Sequence, residues 1–189
     1  EPVDVEARDG RHAALAVGVV VCAAVAYAWA LRWIADDAWI SLRYARNLLL
    51  GDGLVWNPGE RVEGYTNFLW TLLLAEGLAV GAPPRALMLG LGLASTFAGV
   101  LTLGALWRKL TARRAVVPVA LAATALNYSF ASYGTSGLET PLVVTLVAGM
   151  FVVAPLDGDD EETSRPRSAA AAGALGALAL MTRPDAALA

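Results

Sequence analysis

The sequence has one cysteine, one histidine and few charges, and each shortage narrows what the chain does. Cys22 lies inside an apolar run with no partner for an intrachain disulfide, so it reads as a small buried hydrophobe. His12 sits in the polar N-terminal segment, and no Cys/His cluster suggests a zinc site. Only 16% of the residues are charged, against about 25% in ordinary soluble domains. The formal net charge is −3 and there is no basic tract, so nothing points to nucleic acid.

Apolar residues are what the chain has in excess. They make up 57% of its 189 residues, mostly Ala, Leu and Val, with 18 Gly beside them, and the mean hydropathy is +0.55. Small residues of this kind let membrane helices approach closely. Five runs are candidates for crossing a hydrocarbon core of about 30 Å, which takes roughly 17–25 helical residues. They cover 13–34, 66–82, 86–107, 115–133 and 138–156, and a shorter Ala-rich run covers 168–182. The first run also resembles a signal peptide, with Ala28-Trp29-Ala30 in place of a cleavage site. An acidic segment before it and its length, beyond the usual h-region of about 7–15 residues, argue against that. The chain opens on Glu1, and its last apolar run closes just before Ala189, as expected for part of a longer protein.

Charge sets the expected topology. Arg108, Lys109, Arg113 and Arg114 crowd one short loop, and such loops stay cytoplasmic. That placement holds with the N-terminus inside only if 66–82 does not cross. At 1.5 Å per residue this run spans about 25 Å. It also carries Asn67 and Glu76, and an acid at the bilayer centre costs about 2.5–3.5 kcal/mol on insertion scales. The expected layout is therefore 13–34 as the first membrane helix, 37–50 and 66–82 as juxtamembrane helices, and 86–107, 115–133, 138–156 and 168–182 as further membrane helices. The acidic segment 157–167 is then a cytoplasmic loop, and the fold class is an all-α polytopic membrane bundle.

In this layout the outer face collects the polar motifs. From Asp36 to Leu50, Leu42, Ala45, Leu48 and Leu49 fall near one helix face and Arg43, Arg46 and Asn47 toward another, as in an interfacial helix. An Asp at its start suits a helix cap. Gly51 and Gly53 end it, Asn57-Pro58-Gly59 is a turn signal, and Glu63-Gly64-Tyr65-Thr66-Asn67 leads into the next helix. Glu139, Arg183 and Asp185 join from two further outer segments. Singly, these residues have plain explanations: caps, arginines snorkelling to headgroups, an aromatic belt of Trp39, Tyr44, Trp56, Tyr65 and Trp70. Trp107, Asn127, Tyr128 and Tyr133 read as interface anchors. Together, the rim set suits chemistry on a polar ligand. A carboxylate of Asp36 or Asp37 suits a general base on an acceptor hydroxyl. The same pair permits a divalent cation without requiring one. Arg43 and Arg46 suit a lipid-linked phosphate. Tyr44, Asn57, Glu63, Tyr65, Asn67 and Glu139 complete the candidate substrate-binding set.

The stretch DDAWISLRYARNLLLGDGLVWNPGERVEGYTNFLWTLLLA, Asp36 to Ala75, resembles the first outer loop of the GT-C superfamily of polyprenol-phosphate-sugar glycosyltransferases. Within that superfamily it is most similar to the mycobacterial terminal β-(1→2)-arabinofuranosyltransferase group. Gly137-Leu138-Glu139-Thr140 and Arg183-Pro184-Asp185 look like two further, shorter family segments. The resemblance covers the N-terminal part of such proteins. It implies a GT-C bundle with two juxtamembrane helices after the first membrane helix, in the plasma membrane, with its active face extracytoplasmic. It implies transfer of a sugar, arabinofuranose in the nearest subgroup, from a polyprenyl phosphate to a glycan or lipid acceptor, with Asp36 or Asp37 at the catalytic acidic position. A transporter or flippase for a lipid-linked sugar and an inactive sugar-lipid-binding relative are the alternatives. Transporters place polar sites near the midplane, whereas the interiors of these runs carry almost no charge.

Overall fold

The computed structural model describes residues 2–60, 62, 64–111, 118–155 and 165–188, and what it describes is helical, with no strand among these residues. In chain order the helices are α1 (Pro2–Ala30), α2 (Asp36–Leu49), α3 (Phe68–Ala79), α4 (Pro84–Leu110), α5 (Val119–Ala125), α6 (Tyr128–Tyr133), α7 (Thr140–Val153) and α8 (Arg165–Thr182). A 3-10 turn, Pro184–Leu188, follows. The segments Gly10–Ala30 of α1 and Pro84–Leu110 of α4 are long and apolar enough to cross a membrane. The fold is an all-α membrane helix bundle.

α4 is the central element. It packs on α1 on one side and α7 on the other, and α7 in turn packs on α8. Val17, Val20, Val21 and Ala24 of α1 meet Val100 of α4 and Leu121 and Ala125 of α5 in one apolar cluster. Cys22 is exposed, contrary to expectation, because α1 turns the Val17–Val21–Ala24 stripe inward and leaves Cys22 facing out from the bundle. α4 reaches its neighbours through glycine. A Cβ on Gly92 would stand 2.6 Å from the carbonyl oxygen of Gly134, so only glycine lets that backbone lie against the helix.

Two expected membrane helices depart most from their apolar runs. The run 115–133 is broken where Asn127 caps α6, its side chain accepting from the amides of Ser129 (3.0 Å) and Phe130 (3.4 Å). A competing side-chain oxygen ended a helix that hydropathy alone would continue. α7 has 14 residues, or about 21 Å at the helical rise, and is shorter than its run. Its C-terminal end is fixed from α4: the Lys109 ammonium donates to the carbonyls of Phe151 (3.1 Å), Val152 (2.8 Å) and Ala154. A cation satisfies the free carbonyls that a helix leaves at that end. Arg113, Arg114 and most of the acidic segment 157–167 lie outside the described residues.

α2 and α3 form a separate pair at the other end of the bundle. Ala38, Leu42 and Ala45 of α2 bury against Trp70, Leu74 and Ala75 of α3, over Met88 of α4. α3 has 12 residues and spans about 18 Å, well short of a hydrocarbon core of about 30 Å. Pro83-Pro84 separates it from α4, with Pro84 opening that helix. The end of α1, both short helices, the start of α4 and the segment 132–139 meet here. The Ala35 amide donates to the Ser136 carbonyl (2.8 Å), the Trp33 indole to Ser132 (3.0 Å), and the Trp70 indole to Gly137 (3.0 Å). Gly137 has φ +81, and a Cβ there would lie 2.8 Å from that of Ala38, so this contact too requires glycine.

Candidate active site

The aspartate pair opens α2. The cap position is Ala35, which makes no side-chain cap bond, and Asp36 and Asp37 occupy the first helical turn. Neither is a cap, contrary to the simplest expectation. Both are exposed, and neither carboxylate has a partner among the described residues. Negative charge is favoured at a helix N-terminus, which makes free carboxylates tolerable there. Helical spacing sends the two in different directions. Asp37 lies one turn before Ser41, on the same face, while Asp36 shares its stripe with Trp39 and Arg43.

The Asp37 face leads into a buried polar network. Ser41 Oγ lies 2.9 Å from Asn67 Nδ2 and 3.1 Å from its Oδ1. Thr71, one turn further along α3, donates to Asn67 Oδ1 at 3.2 Å. Asn67 Nδ2 donates to Glu139 Oε2 at 2.8 Å. The other Glu139 oxygen lies 3.9 Å from Arg183 Nη1. Arg183 also grips Asp185 with two bonds, of 3.0 and 2.9 Å. Ser41, Asn67 and Glu139 are 3%, 7% and 8% exposed, so the chain has taken a carboxylate out of water and matched it with donors. Among the described residues no buried side-chain polar atom lacks a partner. Glu139 stands at the cap position of α7 but makes no cap bond; its side chain is committed to the network instead. The three segments Asp36–Asn67, Ser132–Glu139 and Arg183–Asp185 are thus tied together at one end of the bundle.

The Arg43 face carries a different set. Arg43 donates to the Trp56 carbonyl (2.8 Å) and to Asn57 Oδ1 (3.1 Å), and its guanidinium stacks 4.7 Å over the Trp56 ring. Asn57 donates to Glu60 (3.0 Å) across the Asn57-Pro58-Gly59 turn, where Gly59 has φ 85. Tyr44 is fully buried, donates to the Val62 carbonyl (2.8 Å) and stacks on Tyr65 at 4.6 Å. Asn47 donates to the carbonyls of Val55 and Trp56. Arg43, Tyr44, Asn47, Asn57 and Tyr65 therefore hold the 51–65 loop against α2. Arg46 is exposed and has no side-chain partner among the described residues. It lines a groove of about 940 Å³ with Trp39, Leu49, Leu50, Trp56 and Leu78. Glu63 lies outside the described residues.

A second groove, of about 500 Å³, runs between α4 and α7. Leu103, Leu106, Val143, Val144, Val147 and Phe151 line it, and Arg183 and Asp185 stand in its wall. Ser41 and Thr71 were not among the candidates from sequence. The i, i+4 spacing of Asn67 and Thr71 on one helix was the available signal for Thr71.

Two curated proteins share this arrangement of sequence. A terminal β-(1→2)-arabinofuranosyltransferase of Mycobacterium tuberculosis is 39% identical over 174 residues, covering 85% of this chain and 27% of the relative. Its namesake in Corynebacterium glutamicum is 34% identical over 152 residues, covering 76% of this chain and 21% of the relative. The chain is a partial relative of the terminal arabinofuranosyltransferases. It spans about a quarter of the length of the curated relatives it matches. No family model and no solved structure matches it. The segments tied together by the Asn67–Glu139–Arg183 network include the long stretch and both short patches whose residues resemble that arabinofuranosyltransferase group.

Proposed function

We propose that this chain is part of a multi-pass membrane glycosyltransferase. The protein moves a sugar, arabinofuranose in the first instance, from a polyprenyl-phosphate donor to a cell-envelope glycan or lipid acceptor on the outer face of the membrane. The observation that carries the reading is the pair of exposed carboxylates, without partners among the described residues, on the first turn of α2, beside a buried network that joins the three segments. The charge distribution supports the outer placement, since the basic end of α4 lies at the opposite end of the bundle. The name that both relatives carry supports the sugar.

In the proposed step, Asp37 takes the proton of the acceptor hydroxyl as its oxygen bonds to the anomeric carbon. The bond from that carbon to the phosphate oxygen breaks, and the polyprenyl phosphate leaves with the electron pair. Asp36 adds negative charge beside the positive anomeric centre. Arg46, Trp39 and Trp56 line the α2 groove on the Asp36 side of the helix. Asp36 and Asp37 are oxygen ligands of the kind a divalent cation accepts, but no third His, Cys, Asp or Glu joins them among the described residues.

The test is transfer by the full-length protein in proteoliposomes, with a labelled polyprenyl-phosphate arabinofuranose and an arabinan acceptor. Labelled glycan is expected. Movement of the labelled lipid across the bilayer with no glycan product would overturn the reading in favour of a transporter. Tight donor binding with neither outcome would favour an inactive relative.

A further inference from the structure

We propose that the Arg183–Asp185 pair is a displaceable latch: the phosphate of a prenyl-phosphate donor takes the place of the Asp185 carboxylate on Arg183, and its chain lies in the groove between α4 and α7. The inference rests on the transferase reading above and assigns its donor site to residues of this chain.

Arg183 is held at a fixed point. α8 ends at Thr182, which is fully buried and bonds back to the Leu178 carbonyl, and the Arg183 amide donates to Ala179 (2.8 Å). Pro184 then turns the chain, which brings Asp185 back onto the guanidinium. The Arg183 side chain is still 41% exposed. It stands in the wall of the groove, whose other lining is almost entirely aliphatic or aromatic. From Thr140 to Phe151 that groove follows about 16 Å of helix. A cation beside a long apolar trough matches an anionic head on an apolar chain.

The two carboxylates on Arg183 differ in what it takes to remove them. The Glu139 side chain is 11% exposed and pinned by Asn67 at 2.8 Å. Asp185 is 59% exposed and has no other side-chain partner among the described residues. Exposed ion pairs typically contribute up to about 1 kcal/mol and a bidentate one more, so Asp185 yields to an anion that offers the same fork a matching pair of oxygens. A phosphate presents paired oxygens to the same guanidinium fork with at least as much charge. Glu139 keeps Arg183 aimed while Asp185 gives way. Arg43, by contrast, has its fork engaged by Trp56 and Asn57 in the α2 loop.

The latch makes a prediction of opposite signs for the two halves of one ion pair. Binding of a synthetic prenyl phosphate without sugar would be measured on the full-length protein in phosphatidylcholine nanodiscs, with thermal unfolding followed in parallel. Asp185→Asn is expected to tighten binding several-fold, because the fork is freed. Arg183→Gln is expected to weaken it by roughly ten- to a hundredfold, as for loss of a hydrogen bond to a charged group. Arg183→Lys, which keeps the charge but not the fork, should fall between them and covers the case in which the glutamine variant does not fold. Equal weakening by Asp185→Asn and Arg183→Gln would mean the pair is structural and would overturn the latch. Displacement of the prenyl phosphate by phosphatidylglycerol at equal concentration would overturn the choice of occupant. Opposed binding effects in a protein that transfers no sugar would leave the latch standing and remove only the transferase reading.

Discussion

Asp37→Asn is expected to lower sugar transfer by the full-length protein by about a hundred- to ten-thousandfold, the usual contribution of a general base. The substitution keeps the shape and removes the basic oxygen. Asp37 is exposed and its carboxylate has no partner among the described residues, so the fold loses only a favourable charge at the start of α2. That charge contributes about 0.3–1 kcal/mol, and the thermal midpoint should barely move. Donor binding should likewise persist. Asp36→Asn is expected to have the smaller effect, because Asp36 lies on the stripe of Trp39 and Arg43 rather than that of Ser41. Initial rates with a labelled donor decide between them. A dead Asp36 variant beside an active Asp37 variant would exchange the two roles.

Asn67→Leu should have the largest effect on stability, lowering it by about 2–4 kcal/mol. Asn67 is the hub of the network: it supplies the 2.8 Å donor to a Glu139 that is 8% exposed, and it accepts from Thr71. Leucine would leave a buried carboxylate and two hydroxyls without that partner. Thermal unfolding in detergent measures the loss. The double variant Asn67→Leu, Glu139→Leu should regain part of it, since removing both partners of a buried pair costs less than removing one. If the single variant unfolds like the wild type, Asn67 and Glu139 are not coupled in the folded protein.

Much of this was legible in the sequence, for identifiable reasons. Asp36–Leu49 is helical because an amphipathic pattern is closed by Gly51 and Gly53, both at positive φ. The Asn57-Pro58-Gly59 turn follows from proline and glycine at the positions that turn demands. The short α3 followed from its length and its polar residues. The break at Asn127 was not legible, because an apolar run gives no sign that one side chain will bind the backbone. The engagement of Arg43 was hidden for a related reason. Its partners are a carbonyl and an amide in a loop thirteen or fourteen residues away, and a guanidinium reads the same in sequence whether free or committed. Arg183 and Glu139 lie 44 positions apart and meet only because α8 returns along α7 to the end where α7 begins.

Transfer of the sugar at this end of the bundle, beside Asp37, is what the proposed function requires above all. A structure of the full-length protein with a non-transferable phosphonate analogue of polyprenyl-phosphate arabinofuranose tests it most directly. The phosphonate is expected on Arg183 in place of Asp185, with the chain along α4 and α7 and the anomeric carbon facing Asp37. An analogue seated near the middle of the helices, with Asp37 remote from the sugar, would contradict it.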